Sequence, residues 1–190
     1  MQTKPDPTYL RFSASLVSRR PDDKFRDFTV TYCIDDKEFS VFEKVVPNSG
    51  FKGGKFMQKT LCINPKTQKP YEPSEVYLGA ILNLDGWEFV LQEASEDTIK
   101  TMEAHPDTFK KCDLVGVMEK LKGLDPKELL AEFQKEDTRK RGRVTFDAVQ
   151  SILKRKNVVL DDQEFLTLYR RFQFLDTDRF EYQDFINLLL

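Results

Sequence analysis

The stretch AILNLDGWEFVLQEASEDTIKTMEA, residues 80–104, carries the change of period on which the fold turns. Its first half sets two apolar runs around Asp85-Gly86. Asp-Gly accepts the positive φ values of a type I′ turn, so a β-hairpin is predicted here. The second half switches to helical spacing. Ser95 is a predicted N-cap, with Glu96 and Asp97 in the first turn. Ile99 and Met102 share one face, and Pro106 stops the helix just after His105. Strands are predicted before this point and helices after it.

Upstream, Leu10, Phe12, Ala14 and Leu16 alternate with Arg11, Ser13 and Ser15, the mark of a half-buried strand. Phe28, Val30 and Tyr32 repeat the pattern after the turn RRPDDK, and Phe39, Val41 and Val45 follow a second turn. A strand over 55–63 comes after the Gly-rich loop NSGFKGGKF. The total is six or seven strands and one helix. Trp87, beside the hairpin turn, reads as core or as a partner anchor. Downstream, Val117 and Leu121 mark one amphipathic stretch, and Asp125-Pro126 caps the next. Phe133, Leu153, Phe165, Phe172, Phe185 and Leu189 lie on the inward faces of the helices that follow. The expected organisation is a strand-rich domain over 7–105, a helical linker over 106–124 and a helical domain over 125–190.

Composition narrows the function. Thirty Lys and Arg oppose 32 Asp and Glu, a net charge of −2, which excludes a strongly basic nucleic-acid binder. No apolar run reaches the roughly 18 residues of a membrane span. The opening MQTKPDPTYL lacks the apolar stretch of a secretory leader. Cys33, Cys62 and Cys112 are odd in number, without metal-like spacing, and read as reduced intracellular thiols packed as small apolar groups. With His105 the one histidine, no nucleophile, base and orienting group can be named together, so no enzyme is expected.

The helical half carries the frame of two EF-hand loops. Such a loop places oxygen ligands at positions 1, 3 and 5, Gly at 6 and a bidentate Glu at 12. With Gly142 at position 6, Asp137 falls at 1, Arg139 at 3, Arg141 at 5, Arg143 at 7, Val144 at 8 and Ala148 at 12. Cations stand where a calcium ion needs anions. In the second frame, 173–184, Gln173 is at 1, Leu175 at 3, Asp178 at 6, Phe180 at 8 and Asp184 at 12. Asp176, Asp178 and Asp184 make it a weak metal candidate. The loops start 36 residues apart, and Val144 and Phe180 should join them as a short strand pair. Neither calcium nor any other cofactor is expected.

The segments YLRFSASL, FTVTYCIDDKEFSVFE, PNSGFKGGKFMQK and YEPSEVYLGAILNLDGWEFVLQEASEDTIKTME resemble the DM-ten domain of ciliary ribbon proteins. With the helical half, the chain is similar to the C-terminal part of the EF-hand-domain-containing family C proteins. That resemblance implies an α+β chain: a pleckstrin-homology-like β-barrel with a closing helix, followed by an all-α pair of degenerate EF-hands. It also implies a structural protein of the ciliary or flagellar axoneme, bound to tubulin and neighbouring proteins inside doublet microtubules, and no catalytic residues. Those proteins carry three DM-ten domains and this sequence one, so it resembles a short paralogue or a fragment.

Two sets of residues are candidates for partner contact: Arg139, Lys140, Arg141 and Arg143 in the first loop, and Gly50, Lys52, Gly53 and Gly54 in the Gly-rich loop. A calcium-responsive regulator is opposed by Arg139, Arg141 and Ala148. A phosphoinositide- or protein-binding adaptor would use the barrel and the basic turn Arg19, Arg20, Lys24 and Arg26, where Asp22 and Asp23 dilute the cations. Neither nucleic acid nor membrane is an expected partner.

Overall fold

Strict alternation buries Leu10, Phe12, Ala14 and Leu16 on one face of β1 (Tyr9–Leu16). That strand pairs on both sides, with β2 (Phe28–Cys33) and, further along the chain, with β8 (Trp87–Ala94). The computed structural model describes residues 8–175 and 177–190. It divides into two units, Met1–Phe109 and Lys110–Leu190.

In the first unit β3 (Glu38–Glu43) and β4 (Gly54–Leu61) extend the sheet beyond β2. β5 (Ile63–Asn64) and β6 (Lys69–Pro70) form a separate small hairpin, and β7 (Ile81–Leu84) pairs with β8. The Asp85-Gly86 turn joins β7 to β8 with both residues at positive φ, 51° and 84°, as the hairpin reading requires. The main sheet is antiparallel in the order β4-β3-β2-β1-β8-β7.

This sheet is curled. In a flat one, β4 and β8 would stand four strand spacings, roughly 19 Å, apart. Yet the Phe56 ring of β4 lies 5.8 Å from Phe89 and 5.5 Å from Trp87 on β8. Phe28 closes the cluster, 5.2 Å from both Phe56 and Phe89. Edges β4 and β7 are not hydrogen-bonded to each other among the described residues, so the result is an open half-barrel. The strand predicted over 55–63 is corrected: β4 ends at Leu61, and Ile63 starts the separate β5–β6 hairpin. Val45 lies beyond β3 and is 69% exposed, while Trp87 caps the ring cluster and remains 45% exposed.

α1 (Glu96–Ala104) docks on β1 through Thr98, whose hydroxyl accepts the Arg11 N–H at 2.7 Å. Ser95 caps the helix by accepting the Thr98 N–H at 3.3 Å, and Met102 is fully buried.

The second unit comprises α2 (Leu114–Glu119), α3 (Pro126–Glu136), β9 (Arg143–Thr145), α4 (Phe146–Arg155), α5 (Asp162–Arg171), β10 (Arg179–Glu181) and α6 (Tyr182–Leu189). The segment read as a helical linker contributes Val117 and Leu121 to the core of this unit. Lys120 ties it to α5 through Glu164 at 2.6 Å. Rings fill the centre. Phe180 is wholly buried, with Phe133, Tyr169, Phe172 and Phe185 between 5.4 and 6.1 Å away. Among the described residues the chain is therefore α+β: a six-stranded antiparallel sheet, a small hairpin and one α-helix, then five α-helices with one two-stranded pair.

Candidate functional site

The two helix–loop–helix segments meet where the sequence frame places them. β9 and β10 pair antiparallel, with Val144 opposite Phe180 and both side chains buried.

The first loop is organised around Asp137, the C-cap of α3. Its buried carboxylate accepts the Arg141 N–H at 3.1 Å, the Gly142 N–H at 2.7 Å and the Tyr182 hydroxyl at 3.0 Å. Burial alone pushes this carboxyl up, but the amide and phenol donors outweigh it and hold Asp137 below the usual carboxylate range. The Tyr182 phenol is raised in turn, by burial first and then by this carboxylate.

The oxygen that would face a metal at loop position 1 is thus committed to the protein's own donors. Arg139, Arg141 and Arg143 bring positive charge, and Ala148 brings no oxygen. This donor set does not fit a hard cation, which takes 6–8 oxygens.

The second loop has a different shape. Gln173 bridges Phe180, and the Phe174 N–H donates to the Arg179 carbonyl at 2.7 Å. Gln173 Nε2 donates to the Thr177 carbonyl at 2.6 Å, and the Thr177 hydroxyl to the Phe174 carbonyl at 2.5 Å. The segment closes on itself as a short turn. Asp178 pairs with its neighbour Arg179 at 3.3 Å, and Asp184 lies exposed in the first turn of α6. Asp176 falls outside the described residues. Among the described residues, no group of three or more His, Cys, Asp or Glu could hold a metal ion.

Arg139, Arg141, Arg143 and Arg179 surround a cavity of ≈ 280 Å³ that Ala148 also lines. Arg143 is fixed: its Nε donates to Glu181 at 3.2 Å, and its guanidinium carbon stands 3.1 Å from the centre of the Phe174 ring. Arg139 and Arg141 are exposed and make no ion pair among the described residues. Lys140, at φ 51°, does not line the cavity. Arg179 was missed in the sequence, although it occupies position 7 of the second loop, as Arg143 does of the first.

The other candidates belong to the first unit. Gly53, at φ 65°, is packed on its own chain. A Cβ there would stand 3.0 Å from the Glu43 carbonyl and the Val45 amide, so only Gly fits. Gly50 and Gly54 also have positive φ but open surroundings, and Lys52 is exposed.

The basic turn is not a free patch. Arg26 donates to Glu43 at 2.7 and 3.0 Å and to Asp23 at 3.1 Å. Its guanidinium carbon is 4.3 Å from the centre of the Phe51 ring, 5.1 Å from Phe28 and 5.4 Å from Phe56. The Ser18 hydroxyl, at 2.5 Å, and Arg26 hold the buried Asp23 carboxyl below its ordinary range against the cost of burial.

Comparison with known proteins places these features. The family profile described as "DM10 domain" matches residues 2–98. The chain is 32% identical over 174 residues to "EF-hand domain-containing family member C2" of Bos taurus, covering 86% of this chain and 24% of that protein. The protein of the same name in Danio rerio is 28% identical over 171 residues, covering 85% and 23%. "EF-hand domain-containing protein 1" of Mus musculus is 32% identical over 122 residues, covering 61% and 18%. The chain therefore spans about a quarter or less of the length of these curated relatives.

Proposed function

This chain belongs to the DM10 domain family, and from that premise we propose that it is a non-enzymatic structural protein of the ciliary or flagellar axoneme, binding tubulin and neighbouring proteins inside doublet microtubules. The observation that carries the reading is the likeness to an EF-hand domain-containing family member, 32% identical over 174 residues and covering 86% of this chain, which runs through both units. In this reading the half-barrel is the pleckstrin-homology-like DM10 fold with α1 as its closing helix. The second unit is a pair of EF-hands that has exchanged metal binding for a packed aromatic core.

The geometry supports contact rather than catalysis or metal sensing. Arg139 and Arg141 are exposed cations in a loop whose amides donate to the Asp137 carboxylate. Arg is suited to bidentate carboxylate contacts, and tubulin is an acidic partner. The Gly50–Gly54 loop is the alternative contact surface. No observation favours the calcium-regulator reading. The adaptor reading loses its main cation, because Arg26 is held by Asp23 and Glu43.

The test is incorporation of a tagged chain into doublet microtubules of a ciliated cell. Density or cross-links at the luminal wall are expected. A chain that stays soluble and is washed out with the matrix overturns the proposal.

A further inference from the structure

We infer that the basin between the first loop and the β9–β10 pair is a receptor for an acidic peptide, taking carboxylate side chains at the place where an EF-hand loop would take a cation. The inference rests on the reading of this loop as a contact surface, but not on the identity of the partner.

The charge balance points this way. Four guanidinium groups line the basin against two carboxylates, those of Glu136 and Asp137; Arg143 and Arg179 are also paired with Glu181 and Asp178, which do not line it. Asp137 is already occupied by two amides and the Tyr182 hydroxyl. Glu136 faces Arg155 at 3.5 Å. Arg139 and Arg141 are left to repel each other at loop positions two apart, and an incoming anion relieves that repulsion.

Shape points the same way. At ≈ 280 Å³ the space is far more than one ion needs and enough for more than one carboxylate end. Ala148 stands where position 12 of a metal loop carries Glu, so no internal acid crosses the opening.

Preorganisation completes the case. Arg143 is fixed by Glu181 and the Phe174 ring, and Arg179 enters from β10 on the opposite strand. Arg143 is thus set, Arg179 pairs with its neighbour Asp178 at 3.3 Å, and Arg139 and Arg141 are free to fork onto a ligand. Planar guanidinium groups match carboxylates two hydrogen bonds at a time.

The experiment uses the full chain and a fluorescein-labelled oligoglutamate peptide, read by fluorescence anisotropy at low ionic strength. A parallel arm titrates inorganic phosphate. Saturable peptide binding is expected. The double variant Arg139→Ser/Arg141→Ser should weaken it roughly tenfold, about 1.4 kcal/mol. Ala148→Glu should weaken it at least as much, and Lys127→Ser, an exposed cation outside the basin, should not. Circular dichroism and the unfolding midpoint of the double variant should match wild type.

Absence of saturable binding overturns the inference. So does an equal loss with Lys127→Ser, or saturable phosphate binding that the peptide fails to displace. Peptide binding without incorporation into doublets keeps the receptor and removes the axonemal proposal. Incorporation without peptide binding does the reverse.

Discussion

The loop after α3 and the loop after α5 start from the same sequence frame and end in different shapes. The first stays an open arc because an acid at its first position draws in two amides and a phenol. The second has Gln173 at that place, and its side-chain amide donates to the Thr177 carbonyl instead. With no central acceptor, the backbone zips up through the Gln173–Phe180 bridge and the 2.7 Å bond from Phe174 to Arg179. Of the two loops, the one that stays open has a charge at its centre. Here one of the protein's own carboxylates supplies it. The strand pair beneath is indifferent to the outcome, since Val144 and Phe180 are buried in either case.

If the aromatic core rather than any ion holds the two loops together, Phe180→Ala should have the largest effect. The ring is wholly buried among four others, and its loss should cost about 3–5 kcal/mol in urea unfolding. A loss under about 1 kcal/mol would mean that the rings do not form one core. The contrast between the loops is tested next by Asp137→Ala and Asp184→Ala. The first leaves three donors without an acceptor and should cost about 2–3 kcal/mol. The second removes an exposed acid and should stay within about 0.5 kcal/mol. Equal effects would erase the distinction drawn here.

A pH series sharpens it further. Because Asp137 is held below its ordinary value, its contribution is complete above an unfolded pKa of about 3.9 and is lost as pH falls through the lower folded value. The stability gap between wild type and Asp137→Asn should therefore shrink on acidification, measured as unfolding midpoints across the acid range. A gap that widens would show that the carboxylate is not the stabilising form. The smallest change should come from Tyr169→Phe. Burial pushes this phenol up to about 12, and its hydroxyl has no partner among the described residues. Its removal should be neutral or stabilising by up to about 1 kcal/mol. A clear destabilisation in the same assay would reveal a hydrogen bond.

Local signals in the sequence were enough for the six strands of the main sheet, though not for the β5–β6 hairpin, and for the Asp85-Gly86 turn, the Ser95 cap and the Val144–Phe180 register. Each depends on residues near one another in the chain or on a repeated frame. What was not legible depends on distant partners. Arg26 reads as one more cation in a basic turn, because Glu43, 17 residues away, reveals nothing until β3 pairs with β2. Arg143 looked as free as Arg139, yet its partner Glu181 lies 38 residues on. The open half-barrel was hidden too, since alternation marks the strands but does not say whether β4 reaches β7. The fold was thus largely readable, while the candidate site was readable as a cluster but not as a cavity with Arg179 in its wall.

The Arg26 cage has a consequence for motion. Surface loops commonly open alone, at the low end of local stability. The Gly-rich loop lays Phe51 over a guanidinium that Asp23 and Glu43 grip from the other side. Lifting Phe51 therefore uncovers a cation that two carboxylates still hold, and releasing the cation strips the turn at Pro21–Phe25 of its anchor. Three segments scattered along the first half of the chain should therefore exchange their amide hydrogens as one cooperative unit, with Arg26 as its latch.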